Sequence, residues 1–396
     1  MSPVKEPVLP ASVEYIIKKL SDSGYRGDIV GGCVRDFLLE RELSDYDITT
    51  NATPCEVKRV FEGEKIIDTG IKHGTVTLVI DKVPYEITTW RIDGEYLDAR
   101  HPSGIEFARE LRLDLERRDF TMNAICYNPT HKFTDCFGGI EDIKNGIIRT
   151  VGDAEKRFSE DALRILRALR FSSTLGFKIE EKTRAAIFKM SHLLKNLSRE
   201  RVFSEWQRML AGMHFHKIIL EYAPVISVAI PGIDVSLIKD EEAFSESPAL
   251  ARGISLFADA NGYGDAMRSL HSDNKSLKIG TTVLENINGA AKTDIDLLRL
   301  LSKTDRESAE LLLRVRSIRK ASGKEDIERL FRLLSKNPAY KISHLKISGD
   351  DLLKMGFSGA RVGEALSFLL SSVICGKCEN TYDALVSEVS NYKQLS

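Results

Sequence analysis

Long apolar runs are missing from this 396-residue chain, and no stretch approaches the ~20 residues a membrane-spanning helix needs. Cysteine is scarce: six thiols in so long a chain are too few for a disulfide scaffold, so a reduced, cytoplasmic protein is expected. Neither sign of charge prevails. The 57 Lys and Arg face 58 Asp and Glu, a net charge of -1. This excludes a basic coat and confines any nucleic-acid contact to a local patch. The opening MSPVKEPVLP has an acidic residue and prolines where a secretory signal would be apolar, so no leader is expected. Internal repeats and low-complexity tracts are absent too. What remains, 42% hydrophobic and 29% charged, is the make-up of a globular protein large enough for two or three domains.

The pattern along the chain changes once. Val13, Ile16, Ile17 and Leu20 form one apolar stripe after Ser12, the expected N-cap, and Gly24 ends that helix. From residue 25 to about residue 128, short β-type runs alternate with glycine. Ile29-Val30 leads through Gly31-Gly32 into a helix over 34–39, and 45–49 reads as a short strand. Residues 75–80 and 85–90 form a hairpin around 81–84, and 122–127 with 132–135 a second around Asn128-Pro129. After Asp153 the strand signals fade, and 160–175, 181–194 and 199–210 carry apolar residues at helical spacing. The expected fold is an α/β head with a small mixed sheet, followed by an all-helical neck, body and tail. The expected boundaries are 1–150, 151–215, 216–340 and 341–396.

Chemistry concentrates in the head. A strand turning through Gly31-Gly32 into a helix brings bare backbone N–H groups and a helix N-terminus to one point. That suits a polyphosphate, and Arg35 adds charge-assisted bonds; alone, the pair also fits an ordinary tight turn. Asp45 and Asp47 alternate on the following strand, which places their Cα atoms ~7 Å apart on one face. Two such carboxylates suit Mg²⁺, although a D-x-D pair by itself also fits a solvated strand face. Glu86, between Tyr85 and Ile87 on a later strand, is the natural third carboxylate of a two-ion site.

These segments resemble the nucleotidyltransferase superfamily that includes polymerase beta, and more closely the class II tRNA nucleotidyltransferases, the CCA-adding enzymes. GGCVRDFLLERELSDYDITTNATP looks like the first motif of that family and RRDFTMNAI, at 117–125, like its ribose-recognition motif. DCFGGIEDI at 135–143 resembles the hinge motif, EDALRILRALRF at 160–171 the nucleobase-selecting motif, and LSRERVFSEWQRML at 197–210 the fifth. ISGDDLLKMGFSGARVGEAL at 347–366 is similar to a recurring tail segment.

The resemblance implies transfer of CMP and AMP from CTP and ATP to the 3′ end of tRNA, with Mg²⁺ on Asp45 and Asp47. It implies that Arg118 and Asp119 hold triphosphate and ribose, and that Arg167 and Arg170 add phosphate contacts. The helix from Glu160 carries Asp161, Arg164, Arg167 and Arg170 three apart, which by itself also fits a solvated basic edge. Within the family reading, Asp161 accepts from the amino group that cytosine and adenine share, and Arg164 donates to the adjacent ring acceptor. Uracil and guanine would set a carbonyl against the carboxylate, and a buried unpaired polar group costs ~1–3 kcal/mol.

Complete CCA addition is favoured over A-only or CC-only addition and over a poly(A) polymerase. The polar stretch 91–103 resembles the loop that full and A-adding enzymes keep, and 69–76 the CCA-enzyme version of its segment. A silent RNA-binding relative would have lost a carboxylate or a turn glycine, and an enzyme acting on a small molecule would need no long helical half. Lys341, Lys346, Lys354 and Arg361 are the expected contacts to the RNA backbone. Cys375 and Cys378 lack a second ligand pair and are read as reduced thiols, and Trp206 as core.

Overall fold

The computed structural model describes residues 6–43, 45–94, 105–289, 291–320 and 324–395. The chain divides into two compact units, Met1–Ala229 and Ile230–Ser396.

The first unit is built on a mixed sheet. Its strands are β1 (Gly27–Val30), β2 (Ile48–Thr50), β3 (Lys65–Gly70), β4 (Thr75–Ile80) and β5 (Val83–Thr89). A separate ribbon of β6 (Arg91–Asp93) and β7 (Ile105–Phe107) intervenes before β8 (Ile125–Asn128) and β9 (Lys132–Asp135). The order across the sheet is β3-β4-β5-β2-β1-β8-β9. Every pairing is antiparallel except β2 with β5. Central β1 and β8 are buried along their whole length. The stripe Val13, Ile16, Ile17 and Leu20 is the buried face of α1 (Ala11–Asp22), which packs on β1. Pro10, not Ser12, precedes that helix; Ser12 lies in its first turn, with its hydroxyl 2.6 Å from the Tyr85 hydroxyl.

Local geometry moves other boundaries. The β4–β5 turn is only Asp81-Lys82, both with positive φ of 50° and 68°, the twist a two-residue hairpin favours. Residues 121–123 are a 3₁₀ turn rather than strand. Of the stretch 91–103, residues 95–103 lie outside the described residues, as does Ser44.

Five helices belong to the sheet region: α1, α2 (Gly32–Leu38), α3 (Pro54–Val60), α4 (Leu111–Glu116) and α5 (Gly139–Lys144). The same unit continues with α6 (Ala154–Glu160), α7 (Leu163–Leu175), α8 (Glu181–Met190), α9 (Arg199–Ala211) and α10 (Phe215–Ala229). One two-residue strand, Lys178–Ile179, interrupts the helical run and pairs in parallel with Ile147–Ile148. Helix α7 is the hub. It buries Leu163, Ile165, Leu166, Ala168, Leu169 and Phe171 and packs on α9 and α10. Trp206 is core, 2% exposed.

The second unit is helical. Arg306–Lys320 is its centre, burying Leu312, Leu313, Val315 and Ile318 among the helices that pack on it. The terminal helices Gly349–Lys354, Ala360–Ile374 and Tyr382–Leu395 enclose Leu352, Ala365, Leu369, Leu385 and Val389. Lys341 does not reach outward: its ammonium donates to the carbonyls of Ser302 and Thr304, at the end of helix Asp294–Lys303. Lys346, Lys354 and Arg361 are exposed. All six cysteines are free thiols. No helix among the described residues is long and apolar enough to cross a membrane.

Candidate active site

The β1–α2 turn begins the site. Gly31 has φ +83°, where a side chain is strained, and a Cβ there would stand 3.2 Å from Arg118 Nη1. The turn therefore faces a guanidinium directly. Arg35 lies deeper than the sequence suggests, 9% exposed. It donates to Asn123 Oδ1 at 2.7 Å and to Asp36, and its guanidinium lies over the Phe171 ring.

The carboxylates come next. Strand β2 starts at Ile48, so Asp45 and Asp47 precede it rather than lie within it. The backbone at Asp47 is nonetheless fixed, because its carbonyl accepts from Val30 N at 3.0 Å. Ile48 pairs with Ile87 across the parallel ladder, so Asp47 and Glu86 each stand one residue before a paired position on neighbouring strands. Asp47 has an exposed edge and is walled by protein elsewhere. That burial raises its carboxyl above the ordinary range; Glu86 and Asp45 raise it further and Arg118 opposes them. Like charges thus accumulate where β2 begins beside β5.

Among the described residues no group of three or more His, Cys, Asp or Glu could enclose a metal ion. A pair of exposed hard carboxylates with surplus negative charge nevertheless fits Mg²⁺, which keeps waters and takes phosphate oxygens as its remaining ligands. The donor set is compatible with the ion the sequence implied.

Helix α4 and the turn after it supply the cationic wall. Arg118 Nη2 donates to buried Asp114 at 3.2 Å, and its Nε is buried with no partner among the described residues. Asp119, 8% exposed, accepts from Arg167 Nε at 2.8 Å, from Asn123 and from the Phe120 amide. Burial opposes its ionisation, but the Arg167 charge and the Asn123 bond outweigh it and hold the carboxyl at about 2.

The helix expected from Glu160 is broken. α6 ends at Glu160, Asp161 is extended (φ −146°, ψ 103°), and α7 starts at Leu163. The cause is local: the Asp161 carboxylate accepts from the Leu163 amide at 3.1 Å, a side-chain bond that competes with helix. Its other oxygen accepts from Arg201 at 2.7 Å. Arg164 does not pair with Asp161 through its side chain. It donates to Glu160 at 2.7 Å and to the carbonyls of Arg157 and Arg117. Arg170 donates through Nε to Glu205 at 2.6 Å and lies over the Phe171 ring.

The structure therefore gathers Gly31, Arg118, Asp47, Asp45 and Glu86 into one group, and Asp119, Asp161, Arg164 and Arg167 into an adjoining one. Arg35 is linked to the second group through Asn123, and Arg170 through Glu205. Sequence reasoning missed Asp114, Glu160, Arg201 and Glu205 as members. Glu160, Arg201 and Glu205 sat inside quoted motifs; Asp114 carried only the signal of a carboxylate on a buried helix face.

A mixed sheet with a glycine turn, a D-x-D pair and an appended arginine-bearing helix defines a nucleotidyltransferase. Family models agree segment by segment: residues 28–149 match the Poly A polymerase head domain. Residues 176–222 match the probable RNA and SrmB-binding site of polymerase A, and 254–389 the putative domain 2 of tRNA nucleotidyltransferase. The CCA-adding enzyme of Lactobacillus delbrueckii subsp. bulgaricus is 35% identical over 385 residues, covering 93% of this chain and 95% of that one. That of a Geobacillus species is 36% identical over 389 residues, covering 92% and 93%. Among solved structures, the Bacillus stearothermophilus CCA-adding enzyme in complex with CTP superposes with a TM-score of 0.79 at 31% identity, covering 96% of this chain and 97% of that one. The chain belongs to the CCA-adding enzymes, a family of tRNA nucleotidyltransferases.

Proposed function

We propose that this enzyme adds C, C and A stepwise to the 3′ end of tRNA in the cytoplasm, from CTP and ATP, without a template. The terminal 3′ oxygen attacks the α-phosphorus, a phosphodiester forms and pyrophosphate leaves. Asp45 and Asp47 would hold Mg²⁺, which when bound favours ionisation of the attacking hydroxyl and offsets charge on the leaving pyrophosphate. Glu86 adds negative charge beside Asp47. The Gly31-Gly32 turn and Arg118 receive the triphosphate, and Asp119 orients the ribose.

Base choice falls to the α6–α7 break. Asp161 uses one lone pair of each oxygen on Leu163 N and Arg201, which leaves acceptor capacity for the amino group of cytosine or adenine. Arg164 spends three N–H bonds on Glu160 and two carbonyls, and a guanidinium has five. One observation carries the reading: Arg164 and Arg167 are hydrogen-bonded to Arg117 O and the Asp119 carboxylate, flanking the arginine that faces the phosphate turn. Base and triphosphate would thus be held by one bonded unit.

The test is extension of tRNA lacking its CCA, with Mg²⁺ and with CTP and ATP separately and together. Growth by three nucleotides only when both are present is expected. A long A tail, or addition of A only to tRNA already ending in CC, contradicts complete CCA addition.

A further inference from the structure

Asp114 has no place in the chemistry above, yet it is the most enclosed carboxylate near it. It is 0% exposed, on α4, so Arg117 and Arg118 lie three and four residues on and reach back over one face. Arg117 donates to Oδ1 through Nε at 3.0 Å and Nη2 at 2.6 Å. Arg118 Nη2 and the hydroxyl of buried Thr49 meet Oδ2 at 3.2 and 3.4 Å. One buried anion thus faces two guanidinium groups and leaves a surplus positive charge. Burial works against its ionisation, but the two arginines hold its acid below the ordinary range.

The surplus has a direction. Arg118 keeps one Nη2 contact with Asp114, while Nη1 faces the Gly31 turn and the buried Nε has no partner among the described residues. A buried guanidinium N–H left empty is costly unless a ligand fills it. The same guanidinium also feels Asp47. Released from α4, it would be drawn to Asp45, Asp47 and Glu86, the nearest concentration of negative charge.

We propose that Asp114 is a positioning residue that keeps Arg118 on the glycine turn and off the metal-binding carboxylates, so that the guanidinium meets the incoming nucleoside triphosphate. The inference rests on the nucleotide-binding reading above. Because Asp114 acts on the phosphates, its loss weakens every triphosphate alike and leaves base preference alone.

The experiment is calorimetric titration of the full chain with CTP, ATP and UTP in Mg²⁺, for wild type, Asp114→Asn, Arg118→Ala and the double variant. Asp114→Asn is expected to weaken CTP and ATP about tenfold each, as loss of a charge-assisted bond does, with the CTP-over-UTP ratio unchanged. In the Arg118→Ala background it adds less than about threefold, because the two act through one path. Unchanged CTP affinity, or a fallen CTP-over-UTP ratio, overturns the inference. A wild type that binds no triphosphate overturns the underlying reading with it. If Asp114→Asn does not fold, a crystal of wild type with CTP decides. Arg118 bonded to both Asp114 and the triphosphate supports the inference, and Arg118 paired with Asp47 refutes it.

Discussion

The two ends of the site hold their charges in opposite ways. At the start of β2, burial of the Asp47 carboxyl and the like charges of Glu86 and Asp45 raise its acid. At the α6–α7 break, Asp119, Asp161, Arg164, Arg167 and Arg170 each meet an opposite charge at 2.6–2.7 Å, and Asp119 and Glu205 are buried. The first end is where the proposed cation and triphosphate would bind. At the second each of these charges is paired within the fold, and the proposed reading of a base would use the donors and acceptors that this pairing holds in place. The price of that rigidity is a set of buried ions whose pairing the fold must maintain.

The contrast predicts different consequences at each end. Asp47→Ala at the exposed end should lower kcat by ~10³-fold or more, since several kcal/mol of transition-state charge lose their support. Its thermal midpoint should stay near wild type. Steady-state extension assays and thermal unfolding read both, and a large loss of stability would erase the contrast. Glu205→Leu at the buried end should do the reverse in its first effect, costing ~3 kcal/mol by leaving Arg170 unpaired. Urea unfolding measures it, and a cost under ~1 kcal/mol would mean the network is slack.

A smaller effect sharpens the same point through pH. The Asp119 acid lies at about 2 in the fold against an ordinary 3.8, so its contribution to stability is full above 3.8 and is lost as pH falls through 2. That contribution is worth ~2 kcal/mol. Asp119→Asn should therefore be less stable than wild type at neutral pH, with the gap closing in acid. Equal differences at both pH values would show that Arg167 does not hold the carboxylate.

What the sequence could disclose follows the range of the interactions involved. The α1 stripe, the β4–β5 hairpin and the Gly31 turn depend on neighbours a few residues away, and periodicity and glycine report those. The start of β2 depends on its ladder with β5, nearly forty residues on, so local pattern places the strand at 45 while the ladder begins at Ile48. The α6–α7 break was hidden because apolar spacing continues through Leu163 and Leu166, while one Asp161 bond to Leu163 N interrupts the helix.

The chemistry-bearing residue types were legible, but their partners were not. Arg170 reads as a phosphate contact, and its bond to Glu205, from another helix, carries no sequence signal. Lys341 reads as an RNA contact until two carbonyls claim its ammonium.

The account turns on Asp161 reading the base, and nucleotide preference measures that directly. Rates of CTP and UTP incorporation into tRNA lacking its CCA should be compared for wild type and Asp161→Ala. Loss of CTP-over-UTP preference by about 100-fold in a folded variant is the predicted result. An Asp161→Ala enzyme that still prefers CTP as strongly as wild type contradicts it.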